Sequence, residues 1–118
     1  MKTLEKNPVK QHVQVLRKTL GLTQDEAAYI LGVTTTTLSR WANNRTAEPD
    51  PAHEARIEML IGILKDAQEA IKPEGLIWWF KTANPFLGDL RPLDLLKSPS
   101  GATKVRNVLG AMRWGLAA

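Results

Sequence analysis

The stretch Thr23–Trp41, TQDEAAYILGVTTTTLSRW, constrains this chain more than any other. Thr23 and Glu26 form a T-x-x-E capping box, the signature of a helix start. Ala27, Ala28, Ile30 and Leu31 give that helix a buried side, and Gly32 ends it where a left-handed backbone is cheap only for glycine. A second short helix follows, with Thr34 placed to cap it and Val33, Leu38 and Trp41 on one face. Four consecutive threonines are poor helix material, because each is β-branched and stiff at its first torsion. Something other than helix propensity selects them. The polar outer face they share with Ser39 and Arg40 is the outline of a helix-turn-helix that reads DNA.

The whole chain has 118 residues, enough for one core. The charged fraction of 24% and the apolar fraction of 43% are those of a soluble globular protein. No apolar run approaches the ~20 residues that span a bilayer, and the N-terminus lacks a signal-peptide core, so no membrane partner is expected. The absence of cysteine removes disulfides and thiolate metal sites and fits a cytoplasmic protein. The net charge of +4 permits nucleic acid as a partner without demanding it. Its placement says more: residues 27–47 contain no carboxylate but include Arg40 and Arg45, so nothing there repels phosphate.

The rest reads as helices. Asn7-Pro8 starts one carrying Val9, Val13, Leu16 and Leu20 on one face and ending at Gly21. Asp50 caps the longest, Ala52 to about Lys72, with Ile57, Leu60, Ile61, Leu64, Ala67 and Ile71 along its apolar face. Gly62 on this helix offers a close crossing. Leu76-Ile77-Trp78-Trp79-Phe80 puts apolar surface on several faces of one short helix. Two arrangements are open. Part of it is an interface, making Leu60, Leu64, Trp78 and Trp79 candidates for a dimer seam. Otherwise Trp78 and Phe80 enter the core while the tail shields Trp79. Pro92 begins a short helix, Ser98-Pro99-Ser100-Gly101 reads as a separator, and Val105, Val108, Leu109 and Met112 mark a last helix, with Lys104, Arg106 and Arg113 facing outward.

Two resemblances rest on these residues. Gln24, Ala28, Gly32, Val33, Leu38 and Trp41 are spaced as in the Xre/Cro–repressor helix-turn-helix, in which a small residue at the place of Ala28 lets the helices pack closely. The block Asn84-Pro85-Phe86-Leu87-Gly88 followed by Arg91-Pro92-Leu93-Asp94-Leu95-Leu96 resembles the C-terminal, toxin-binding domain of the MbcA/ParS/Xre antitoxin family. Together they imply an all-α chain: a helix-turn-helix region over 1–50, a long linking and dimerising helix over 51–72, and a toxin-binding domain over 73–118.

The resemblance further implies a type II antitoxin whose partner is a RES-domain, NAD-consuming toxin, neutralised by covering its active site. The surface toward that toxin would include Arg91, Arg113, Trp114 and Gly115. Trp and Arg are frequent interface anchors, though Trp114 has the alternative of capping the domain's own core. Arg91, beside Asp89 and Asp94, also suits an ion pair or loop clamp. On the DNA side, Thr34, Thr35, Thr36 and Arg40 meet the bases, and Gln24, Asn43, Asn44 and Arg45 meet phosphate. Such modules act as dimers on palindromes, so a homodimer on its own operator is expected.

No catalytic constellation emerges. His12 and His53 fall on different helices, no Gly-rich phosphate loop occurs, and no metal-ligand spacing is present. Neither an enzyme nor a cofactor is expected. A stand-alone repressor with a C-terminal dimerisation domain is the competing reading, and a helical adaptor with no DNA role is the third.

Overall fold

Side-chain caps set the starts of four helices of this chain, those opening after Thr23, Thr34, Asp50 and Ser98. The computed structural model describes residues 8–43 and 48–115, in which seven α-helices follow one another. They are α1 (Pro8–Leu20), α2 (Gln24–Leu31), α3 (Thr35–Asn43), α4 (Pro51–Ala70), α5 (Leu76–Lys81), α6 (Pro92–Leu95) and α7 (Pro99–Arg113). Short 3-10 turns cover Pro73–Gly75 and Pro85–Leu87. No strand occurs among the described residues, only an isolated antiparallel bridge between Asn84 and Leu90. Asn7, Asn44, Arg45 and residues 116–118 lie outside the described residues.

The α2 box is complete. Thr23 Oγ1 accepts from the Glu26 N–H at 3.0 Å, and the Glu26 carboxylate accepts from the Thr23 N–H at 2.9 Å. Gly32 leaves α2 with φ +72°, where a side chain would be strained. Asp50 caps α4 by accepting from the His53 N–H at 2.9 Å, and Pro51 takes the first helical position, one residue earlier than the sequence suggests. Ser98 caps α7, accepting from the Gly101 N–H at 3.0 Å. The Ser98–Gly101 segment is therefore the start of α7 and not a separator. Gly101 there has a steric reason, because a Cβ would strike the Leu95 carbonyl oxygen.

One apolar cluster runs through both halves. Leu16 and Leu20 of α1, Ile30 and Leu31 of α2, Leu38 and Trp41 of α3, Ile57 and Ile63 of α4, Phe80 of α5 and Leu109 of α7 all belong to it. Each fully buried aliphatic side chain contributes about 1.5–3 kcal/mol relative to exposure, so this shared cluster is the main source of cohesion. The central helix is α4, packed on α1 and α2 along one side and extensively on α7.

The four residues of the expected seam differ in exposure. Leu60, Leu64 and Trp79 are 2%, 3% and 7% exposed within the chain, where α4 packs on α1 and α7 and α5 packs on α1 and α6. The inward face of α4 carries Ile57, Leu60, Ile63, Leu64 and Ala67, with Ile61 only half-buried. The aromatic run is also sorted differently. Trp79 and Phe80 point inward and meet edge to face at 5.0 Å, while Trp78 is 68% exposed. Gly62 admits a side chain and not a helix backbone: an added Cβ would lie 3.1 Å from the Arg106 guanidinium, which pairs with Asp66 at 2.7 Å. Arg106 and Arg113 thus lie against α4 carboxylates.

Candidate nucleic-acid interface and C-terminal binding surface

The recognition surface grows out of α3's own cap. The Thr34 hydroxyl accepts from the Thr37 N–H at 3.1 Å and donates to Thr37 Oγ1 at the same distance. Two of the four threonines are thereby used to start the helix. Thr35 is half-buried, and its carbonyl accepts from Gln24 Nε2 at 3.4 Å, which ties the start of α2 to the start of α3. Leu38 and Trp41 hold α3 down, and Trp41 meets His53 of α4 edge-on at 5.7 Å. Thr36, Arg40 and Asn43 are left exposed on the outward face.

Gln24, Asp25, Thr35, Thr36, Ser39, Arg40 and Asn43 line one open depression. Five of the eight sequence candidates come together there, Thr34 sits at its edge as the cap, and Asn44 and Arg45 fall outside the described residues. Ser39 Oγ accepts from Asn43 Nδ2 at 3.2 Å, so these two polar groups present jointly. A second depression adjoins the first through Gln24, Ser39 and Asn43 and runs onto α1, where Lys10, Gln14 and Arg17 line it. Sequence reading missed these α1 residues. Their spacing at i, i+4 and i+7, beside the apolar stripe, was the available signal. Asp25 was also missed, and it is the one carboxylate in the first depression.

The Asn84–Leu96 block is built by hydrogen bonds turned inward. Asn84 is the buried polar side chain among the described residues. Its Oδ1 accepts from the Phe86 N–H at 2.9 Å, and its carbonyl accepts from the Leu87 and Asp89 N–H groups at 2.9 and 3.0 Å. Its own N–H donates to the Leu90 carbonyl at 3.0 Å. Asp89 takes a left-handed backbone at φ +62°, which the short polar Asp tolerates better than most residues. Leu87, Pro92, Leu93 and Leu96 face inward, whereas Phe86 and Leu90 are more than half exposed. Those two were absent from the sequence candidates, since apolar residues in a compact motif read as core.

Arg91 is engaged within the chain. Its Nε and Nη2 donate to the two Asp94 oxygens at 2.9 and 2.8 Å, a bidentate pair. That hydrogen bond first, and then the guanidinium charge, hold the Asp94 carboxyl below its usual range against the opposing effect of burial. Arg113 lies 3.1 Å from Glu69 of α4. Trp114, just past α7, is 80% exposed and does not cap the core, and Gly115 follows with φ +73°. Arg91 is therefore placed by α6, and Arg113 and Trp114 by the end of α7.

Comparison with known proteins addresses both halves. Residues 13–63 match a helix-turn-helix family model, and residues 72–115 match the antitoxin Xre/MbcA/ParS C-terminal toxin-binding domain. A chain in the crystal structure of the M. tuberculosis MbcT–MbcA toxin–antitoxin complex is similar in fold. Its TM-score is 0.72 at 21% identity, covering 93% of this chain and 97% of that one. No curated protein matches. No helix among the described residues is long and apolar enough to cross a membrane. The chain thus carries a helix-turn-helix over residues 13–63, followed by the toxin-binding domain of the Xre/MbcA/ParS antitoxin family over residues 72–115.

Proposed function

We propose that this antitoxin binds its own operator as a homodimer and neutralises a RES-domain, NAD-consuming toxin by covering that enzyme's active site. The observation that carries the reading is the pairing, in one chain, of the polar α2–α3 depression of a helix-turn-helix with a toxin-binding domain whose last aromatic, Trp114, is 80% exposed. The similar fold in the MbcT–MbcA complex supports an antitoxin that acts by direct contact. The family resemblance of the Asn84–Leu96 block is what supports a RES-domain toxin as the partner.

On DNA, Thr36 and Arg40 reach base edges, while Gln24 and Asn43 hold phosphate at the ends of α2 and α3. Thr35 adds its methyl or hydroxyl from the half-buried edge. Two copies on a palindrome place half-sites about 34 Å apart or a multiple of it. Of the expected seam residues, Trp78 alone keeps an exposed side chain, and it is the one to carry a dimer contact. In the toxin half, Trp114 enters the partner's pocket mouth with Arg113 and Gly115 beside it, and Arg91 braces the α6 surface.

The test is co-expression with the protein of the adjacent reading frame, scored for growth and for NAD consumption. The intact chain is expected to suppress both, and a chain lacking residues 113–118 to suppress neither. Full suppression by the shortened chain rejects the tail as the plug. An operator-binding protein that neither binds nor restrains its neighbour's product is a stand-alone repressor.

A further inference from the structure

Basic side chains of the C-terminal half reach α2 near both of its ends. Lys81, the last residue of α5, donates from Nζ to the Gly21 carbonyl at 2.8 Å and lies 3.7 Å from Glu26 Oε1. Ile77, one turn earlier on α5, packs at the same end: a Cβ added to Gly21 would lie 3.1 Å from its Cδ1. Farther along α2, Lys97 stands 4.9 Å over the Tyr29 ring. Buried Leu76, Trp79 and Phe80 fix α5 itself. The C-terminal half thus grips α2 near both ends.

That grip matters because α2 is only eight residues long. A helix this short has little stability of its own, and its direction is set by what it touches. From α2 the constraint passes to α3 through the Gly32 turn, in which the Val33 N–H donates to the Ala28 carbonyl at 3.0 Å, and through Gln24 and Thr35. We propose that Lys81 is a positioning residue for operator recognition, setting from the C-terminal half the angle at which α3 meets the bases. The inference rests on the operator-binding reading above.

Positioning and phosphate contact leave different traces. Hydrogen bonds to base edges are directional and fail when the helix tilts, whereas flexible cations on phosphate adapt. A residue that only positions changes specific affinity alone. A residue that touches phosphate changes every sequence alike and makes the salt slope shallower by about 0.9.

The experiment measures binding of the full chain to its upstream operator and to a random-sequence duplex across a salt series. Lys81→Met keeps the aliphatic stem and removes the charge, and Lys81→Arg keeps both reach and charge. The expected result for K81M is operator affinity lower by about three- to tenfold, as for a partly exposed charged hydrogen bond. Random-duplex affinity and salt slope stay unchanged, and K81R recovers most of the loss. Amide exchange at Ala27–Ile30 in the DNA-free protein is expected to quicken in K81M, and Lys81→Gln to do the same should K81M not fold.

Unchanged operator affinity in K81M overturns the proposal. So does a parallel loss on both duplexes with a shallower slope, which would make Lys81 a phosphate contact. Unchanged exchange in α2 overturns it independently of DNA. A wild-type chain that fails to distinguish operator from random duplex sinks the operator reading instead, and the exchange measurement still decides whether Lys81 holds α2.

Discussion

Among single residues, the threonine run shows how one side-chain type is divided between tasks. Thr35, Thr36 and Thr37 each cost α3 up to about 0.7 kcal/mol relative to alanine. Thr34 offsets part of this as the cap, so Thr34→Ala is expected to lower stability by about 1 kcal/mol, read as a shift in the urea midpoint. Thr36→Ala is expected to raise that midpoint, by up to about 0.7 kcal/mol, and Arg40→Ala to leave it unchanged. Arg40→Ala should cost about 1–3 kcal/mol on the operator and nothing on random duplex. An equal loss on both would make Arg40 a phosphate contact. Three carboxylates add an acid limb. The Thr23 backbone N–H first, then the Lys81 and Arg91 charges, hold Glu26 below its usual range against the opposing effect of burial. The His53 backbone and ring hold Asp50 low, and the Arg91 hydrogen bond and charge hold Asp94 low. A carboxyl depressed in the folded state stabilises above its unfolded pKa and loses that contribution as pH falls through the folded one. Stability is therefore expected to hold from neutrality down to about pH 5 and to fall below about pH 4. Replacing Glu26 and Asp94 by their amides should flatten that fall.

Among elements, α5 and α7 show what patterns in the chain do and do not disclose. Gly101→Ala forces a methyl against the Leu95 carbonyl, and the expected destabilisation is about 1–3 kcal/mol by urea unfolding. The start of α2, its glycine exit and the apolar positions of α3 were legible because caps and helical period act within a few residues. The order within Trp78-Trp79-Phe80 was not. Neighbours on a helix point about 100° apart, so which of them turn inward depends on where α1 and α6 lie. The seam residues are a related case. Periodicity shows that Leu60 and Leu64 are covered, but not whether the cover is a second copy or, as here, the chain's own α7. The Asn84–Leu96 block was legible as a unit, yet its division into inward Asn84 and outward Phe86 and Leu90 came only from the hydrogen-bonded loop.

At the scale of the whole molecule, the decisive feature is that α4 serves both halves. Its inward face meets α1 and α2 on one side and α7 on another, inside one continuous cluster. A chain ending after Ile71 would expose that face, so it is expected to be largely unfolded by circular dichroism and rapidly cleaved by trypsin. A folded 1–71 fragment would show that the two halves are independent. If they are not, the feature bears on how such a chain is inherited. A gene rearrangement that exchanged only the DNA-reading segment would need a new α4 matched to the old α7, down to the Asp66–Arg106 pair in the Gly62 notch and the Lys81 grip on Gly21. The viable unit of exchange is then the entire reading frame, and operator choice and toxin choice descend together.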